Sequence, residues 1–195
     1  TKPTATQEVT ISTEAATEVA EATLPAETTE PTSEPTEAPA ATEVSLPVEI
    51  KDEKNIPMRL VPAGEFTMGN DDGNTEERPA SKIYVETFYM DKYEVTNDMY
   101  SACVSAGVCK LPEKPGSATR SSYYNNPSFA NYPVLYVNWT MAKTYCEWRD
   151  ARLPTEAEWE KAARGTDGRA YPWGSEFDCS LANHSGCIGD TAAVN

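Results

Sequence analysis

The first 47 residues contain no aromatic residue, no glycine and no cysteine. They repeat Thr, Glu, Pro and Ala instead, and their nine Glu and one Lys contribute −8 to the chain's formal charge of −15. This composition buries too little apolar surface to offset the entropy of ordering a chain. We predict that residues 1–47 form a disordered linker or stalk, with an O-glycosylated stalk and a binding tail as the functional alternatives.

The chain also lacks any run of 18 apolar residues, which excludes a transmembrane helix within this sequence. Its 31 acidic residues outnumber its 16 basic ones, which argues against nucleic-acid binding because such binding needs clusters of Lys and Arg. No signal peptide is visible. We expect a targeting or tethering segment upstream of Thr1.

The common catalytic motifs are missing: the sequence has no GxSxG, HExxH, P-loop or GxGxxG pattern, and its one histidine is His184. Glu156, Glu158 and Glu160 are spaced two apart, so neighbouring members do not share a helix face and do not suggest an acid–base pair. Cys146 falls in a predicted helix next to Glu147, which is a poor environment for a thiolate. The residues alone therefore display no catalytic centre.

The five cysteines have a spacing that predicts two local disulfides. Cys103 and Cys109 flank VSAGV, and Cys179 and Cys187 flank SLANHSG. Each pair closes a short loop, as is common in oxidising compartments, so we expect an extracytoplasmic protein. Five free thiols or a metal site are the alternatives, although no CxxC pair is present. Cys146 is left over, as a buried small hydrophobe or the partner of a residue outside this sequence.

Residues 48–195 carry all the aromatic residues and all the cysteines, which is enough for one hydrophobic core. Their patterns predict an irregular α+β fold with little regular secondary structure. We expect short strands at 59–61 and 65–68, strand character over 82–95, a strand within 132–139, and helices over 97–106, from 139 or 140 to 150, and after Thr155.

The stretch RLPTEAEWEKAARG, residues 152–165, carries the most strongly specified local structure. Thr155 is the predicted N-cap, and Glu158, three residues later, completes a capping box. Trp159, with two alanines that follow it, is expected to form the apolar face of this helix, and Gly165 to end it.

Two segments are candidates for calcium. Asn183–Asp190 places a side-chain amide, loop carbonyls and a carboxylate within eight residues, which is an oxygen set that Ca²⁺ accepts. The loop DDGNTEE, residues 71–77, is also rich in oxygen donors, but it lacks EF-hand spacing and is expected to be a solvated acidic loop.

Several motifs together resemble the formylglycine-generating enzyme family, also called the sulfatase-modifying-factor family. They are LVPAGEFTMGN, FYMDKYEVTNDMY, YPVLYVNWTMAKTYCEWRDARLPTEAEWEKAARG and YPWG, and they occur in the family's order over residues 56–195. The resemblance implies a loop-rich fold related to the C-type lectin fold. It also implies that residues 48–195 are the N-terminal two thirds of such a domain.

Members of this family differ in function. The founding enzymes use copper and O₂ to oxidise a sulfatase cysteine to formylglycine, and relatives include iron-dependent sulfoxide synthase modules and ligand-binding proteins. The resemblance places the catalytic cysteine pair beyond Asn195, so it assigns no catalytic or cofactor-binding residue within this sequence. A copper cofactor is expected only if the part beyond Asn195 carries those cysteines. The pairs Cys103/Cys109 and Cys179/Cys187 resemble those of secreted bacterial relatives.

The family's calcium sites imply a ligand set in this chain. Asn183 resembles the family's side-chain ligand, while His184 and Ile188 would supply backbone carbonyls. Gly186 occupies the place of the family's acidic ligand, so Asp190 would substitute for it. A second departure is Ser81, where relatives with an RPAHxV motif carry histidine.

We expect a non-catalytic binding or structural module, displayed outside a bacterial cell and recognising an unknown protein or small molecule. The alternative is a formylglycine-generating oxidase that acts on a sulfatase peptide. A sulfoxide synthase module is the third hypothesis, although it would need a separate His-rich helical domain.

Overall fold

A computed structural model describes residues 46–184 and 186–194. Within these ranges five short strands, three α-helices and two single-turn 3-10 helices (Thr75–Glu77 and Pro127–Phe129) are joined by long loops, which confirms the predicted α+β, loop-rich fold. The linker predicted for residues 1–47 lies almost entirely outside the described residues, and the relation to C-type lectins stays a prediction. The elements are β1 (Glu49–Lys51), β2 (Pro57–Val61), β3 (Gly64–Met68), β4 (Ser81–Val85), β5 (Phe88–Asp91), α1 (Asn97–Ser105), α2 (Trp139–Trp148) and α3 (Glu156–Arg164).

The strands form two small antiparallel sheets. β1, β2 and β5 pair in the order β1-β2-β5, and β3 pairs with β4 so that Phe66 lies opposite Ile83. The strand character predicted over residues 82–95 is therefore divided between two sheets. The chain changes sheet next to Thr87, whose hydroxyl accepts a 2.9 Å hydrogen bond from the Ala63 N–H.

The main core lies around α1 and α2. Thr96 and Asn138 cap these helices by accepting hydrogen bonds from the N–H groups three residues later, which confirms both predicted helices. The ring of Tyr100 stacks on that of Tyr145, with 5.6 Å between centroids. The buried cluster consists of Tyr100, Cys103, Cys109, Tyr124, Met141 and Tyr145.

The strand predicted within residues 132–139 is wrong. In this segment Pro133 forms an isolated bridge with Thr96, and no strand follows it before α2 begins at Trp139. Tyr136 has φ of 55°, in the left-handed region, which interrupts an extended run. The segment is therefore a tightly turned connection that leads to the Asn138 cap.

The α3 helix has the predicted capping box and Gly165 C-cap, but it buries a different face. Trp159 is 61% exposed, whereas Glu158 and Lys161 are buried. The Lys161 ammonium donates to the carbonyls of Pro62 (2.7 Å) and Gly64 (2.9 Å), so it binds the turn between β2 and β3. The expected apolar face around Trp159 is wrong because buried charges with full sets of partners occupy the contact instead.

Candidate functional site

Residues 183–184 and 189–191 form one wall of a cleft of about 340 Å³. Three of the four residues predicted as metal ligands meet there: Asn183, His184 and Asp190. The fourth, Ile188, is exposed and does not line the cleft. The opposite wall comes from the loops around residue 118 and residues 135–136. The full lining is Ala118, Leu135, Tyr136, Asn183, His184, Gly189, Asp190 and Thr191.

Both predicted disulfides are present. Cys179 and Cys187 are bonded with Cα atoms 5.5 Å apart, and Cys103 and Cys109 with Cα atoms 5.3 Å apart. The first bond closes the loop that carries Asn183 and His184, and the second lies in the main core. The sequence interpretation of the cysteines as two local pairs is therefore confirmed.

Asp190 is the most constrained of the predicted ligands, with a side chain only 5% exposed. Its Oδ2 accepts hydrogen bonds from the Ser117 hydroxyl (2.7 Å), the Thr119 N–H (2.9 Å) and the Thr119 hydroxyl. Its Oδ1 accepts from the Thr191 N–H (2.7 Å) and lies 3.2 Å from the Arg120 guanidinium. These donors, the Thr119 hydroxyl foremost, hold the pKa of Asp190 well below its usual range.

Asn183 and His184 also have partners within the loop. The side-chain amide of Asn183 donates to the Asp190 backbone carbonyl (2.6 Å), and the His184 backbone carbonyl accepts from the Cys187 N–H (2.8 Å). The His184 Nδ1 accepts from the Gly186 N–H (3.1 Å).

These contacts test whether the loop fits calcium. Ca²⁺ takes six to eight oxygen ligands. The Asp190 carboxylate already accepts four hydrogen bonds, about as many as it has lone pairs, and it also pairs with the Arg120 cation. Among the described residues, no group of three or more His, Cys, Asp and Glu side chains is placed to hold a metal. The arrangement as it stands does not fit the ion, and calcium binding stays a prediction.

The acidic loop is a self-bonded turn. The Asp71 carboxylate accepts from the Ala80 N–H (2.9 Å), and the Asn74 amide donates to Glu77 (2.9 Å). All four carboxylates of residues 71–77 lie on the exposed surface. The solvated acidic loop was the favoured interpretation of this segment, and this geometry agrees with it.

Two exposed tryptophans are features that the sequence reasoning missed. Trp139 is 69% exposed beside a cleft of about 500 Å³ that also includes Val108 and Leu111. Trp159 borders a groove of about 600 Å³ with Met68 and Ile83. The position of Trp139 was a signal for its exposure. It directly follows the predicted start of a helix, and the first residue of a helix lies at the helix end, where water can reach its side chain. Large exposed aromatic groups next to apolar side chains are typical of binding surfaces.

Cys146 is the cysteine whose thiol is free, and its side chain is partly buried. Burial raises the pKa of the Cys146 thiol above its ordinary value, so the thiol is protonated at neutral pH. Cys146 packs against the core without being fully buried, so the interpretation as a buried small hydrophobe agrees with this placement in part.

The fold is a loop-rich α+β domain, and its sequence matches one family of known proteins. A family model described as the sulfatase-modifying factor enzyme 1-like domain matches residues 45–191. The chain therefore belongs to the formylglycine-generating enzyme (sulfatase-modifying factor) family. No helix in the described part of the chain is long and apolar enough to cross a membrane.

Individual relatives support this assignment. The chain is 34% identical over 157 residues to formylglycine-generating enzyme of Mus musculus, which covers 60% of this chain and 42% of the mouse protein. It is 30% identical over 182 residues to inactive C-alpha-formylglycine-generating enzyme 2 of Bos taurus, covering 70% and 58%. The structure of PvdO from Pseudomonas aeruginosa matches with a TM-score of 0.51 and 25% identity, covering 67% and 55%. The chain thus spans about half the length of these relatives.

Proposed function

We propose that this chain is a non-catalytic binding or structural module of the formylglycine-generating enzyme family. The observation that carries the proposal is the state of its cysteines. Four are held in two disulfides, and the fifth, Cys146, is partly buried with a raised pKa. The five cysteines therefore have structural roles, and the proposal concerns residues 48–195 alone, since the family resemblance places the copper-binding cysteine pair beyond Asn195.

The proposed location is outside the cytoplasm, in a bacterial protein that is secreted or tethered. The two disulfides support it, because the cytosol keeps most thiols reduced whereas oxidising compartments allow such bonds to persist. Residues 1–47, with their Thr, Glu and Pro repeats, would then serve as the stalk that displays the domain.

Binding is assigned to the exposed aromatic surfaces. Trp139 and Trp159 each border a cleft of a size that a small molecule or a peptide side chain fills. Tryptophan at such positions supplies a large contact area at a low cost in side-chain entropy. The ligand is a protein or a small molecule, with a sulfatase peptide as one candidate.

The second candidate function is a formylglycine-generating oxidase, and the observation that favours it is the 34% identity to the mouse enzyme. One assay separates the two functions. The full-length protein, including any residues that follow Asn195, is incubated with copper, O₂ and a peptide of the CxPxR type, and the mass of the peptide is then measured by mass spectrometry. We expect the peptide to be recovered unchanged. Conversion of its thiol to an aldehyde would overturn the non-catalytic assignment.

The same peptide is titrated into the chain without copper, with Trp fluorescence as the readout. Trp139→Ala and Trp159→Ala are compared with Trp173→Ala, whose indole N–H donates to the Glu176 carbonyl at 2.8 Å and whose ring stacks on Tyr171. Peptide binding that only the first two substitutions weaken would place a ligand on the proposed surfaces.

A further inference from the structure

The Asp190 carboxylate joins two distant loops. Its hydrogen-bond donors Ser117 and Thr119 lie more than 70 residues before it in the chain. Arg120, which follows them, reaches the same segment through two further bonds, donating to the Thr191 hydroxyl (2.9 Å) and the Thr191 carbonyl (3.2 Å). The loop of residues 117–120 therefore holds both Asp190 and Thr191.

An aromatic cluster fixes the Arg120 guanidinium in place. Its carbon lies 4.9 Å from the ring centroid of Phe129, 5.3 Å from that of Tyr132 and 5.9 Å from that of Tyr123. Rings at these distances attract a cation and shield it from water. The guanidinium thus meets Asp190 already oriented, and it balances the charge of a carboxylate that is nearly buried.

The contacts continue beyond this ion pair. The Thr191 hydroxyl donates to the Tyr123 hydroxyl (2.9 Å), which in turn donates to the Pro133 carbonyl (2.6 Å). The Val194 N–H donates to the Asn131 carbonyl (2.9 Å). Segment 190–194 is therefore bonded to segment 117–133 along its length.

We propose that Arg120 acts as the built-in cation of this loop. It neutralises Asp190 and locks segment 190–194 onto segment 117–133, in place of a divalent ion. Asp190 and Thr191 also line the cleft described above, so this Arg120–Asp190 clamp shapes one wall of it. The proposal rests on the geometry of these residues and not on the proposed function.

The test uses the full chain, with the thermal midpoint and amide hydrogen exchange measured in excess EDTA and in millimolar CaCl₂. A ligand that binds only the folded state raises the midpoint, so we expect the two midpoints to agree within about 1 °C. We also expect the exchange protection of the Thr119 and Thr191 amides to be the same in both buffers. A midpoint lowered by EDTA, or a loop that loses protection in EDTA, would overturn the proposal.

Variants test the clamp itself. Asp190→Asn and Arg120→Gln should each lower the protection of the Thr191 amide by at least about tenfold, since each leaves a shielded charge without its partner. Asp178→Asn is the matched control, because Asp178 directly precedes Cys179 and its carboxylate accepts a local hydrogen bond from the Ser180 N–H (2.7 Å).

Arg120→Lys keeps the charge and should retain part of the protection, and it serves if Arg120→Gln does not fold. Unchanged protection in both Asp190→Asn and Arg120→Gln would contradict the clamp. An equal loss in Asp178→Asn would also contradict it, because the effect would then be general to the loop.

Discussion

Arg149 donates a pair of hydrogen bonds to the two carboxylate oxygens of Asp91, one of them 2.7 Å long, while its Nε donates to Asp52 at 2.7 Å. The Arg149 side chain is only 1% exposed. The guanidinium thus joins the end of α2 to β5 and to the turn after β1. Burial by itself lowers the pKa of Arg149, but the hydrogen bonds to its two carboxylate partners outweigh this effect and raise the pKa above its ordinary value.

Removing this cation should destabilise the domain. Arg149→Met leaves two partly buried carboxylates without their cation, and we expect the free energy of unfolding in urea to fall by about 3–5 kcal/mol. Lys143→Met is the control, since the Lys143–Glu147 pair lies on the surface and such pairs contribute about 0–1 kcal/mol. Equal losses in the free energy of unfolding for the two substitutions would show that the ion pairs of Arg149 stabilise the domain no more than a surface pair does.

Acid should weaken the start of α3 through Glu158. The guanidinium of Arg152 and the Thr155 N–H lower the pKa of Glu158 to about 2, from an ordinary value of 4.5. A carboxyl whose pKa is lower in the folded state stabilises the protein above its unfolded pKa, and this contribution is lost as the pH falls. We therefore expect a loss of stability between about pH 4.5 and 2 that Glu158→Gln lacks. Urea midpoints measured across this range check it, and identical pH profiles for both chains would contradict it.

Thiol counting checks the disulfides in solution. The denatured but unreduced chain should react with a thiol reagent at one site, Cys146, out of five cysteines. Three or more reactive thiols would contradict both bonds. Breaking the Cys103–Cys109 bond with a Cys109→Ser substitution should cost about 2 kcal/mol, the value expected for so short a loop, plus the loss of its packing in the core.

Two aromatic substitutions distinguish the exposed tryptophan from the core. Trp159→Ala should change the free energy of unfolding by less than about 1 kcal/mol, because its side chain is mostly in water. Tyr145→Ala should cost about 3–5 kcal/mol, because Tyr145 is 2% exposed and stacks on Tyr100. Denaturant titrations of both variants check this. A large loss in Trp159→Ala would mean that the tryptophan packs against protein after all.

Local signals predicted the helices well. Thr96 and the Thr155/Glu158 capping box marked helix starts correctly, because a cap depends on residues that lie within one turn of each other. The two disulfide pairs were predictable for a similar reason, since each closes a loop of only a few residues. The family resemblance, carried by the same stretches of sequence, was confirmed by the family model.

Other features depended on distant partners and were missed. The face that α3 buries could not be read from its apolar residues, because Lys161 is satisfied by carbonyls from a turn almost 100 residues earlier. The strand expected before α2 failed at Tyr136, whose left-handed backbone has no marker such as glycine. The hydrogen bonds of Asp190 were also not foreseen, because its donors Ser117 and Thr119 are far away in the chain.

RLPTEAEWEKAARG illustrates the division. By itself the sequence determined where this helix starts and ends and which family the domain belongs to, because caps and motifs are encoded in contiguous residues. Only the tertiary structure decided that Glu158 and Lys161 turn inward, that Trp159 faces water and that Asp190 pairs with Arg120. The reason is physical: a charged side chain is buried only where partners from other segments replace its water, and those segments meet only in the folded chain.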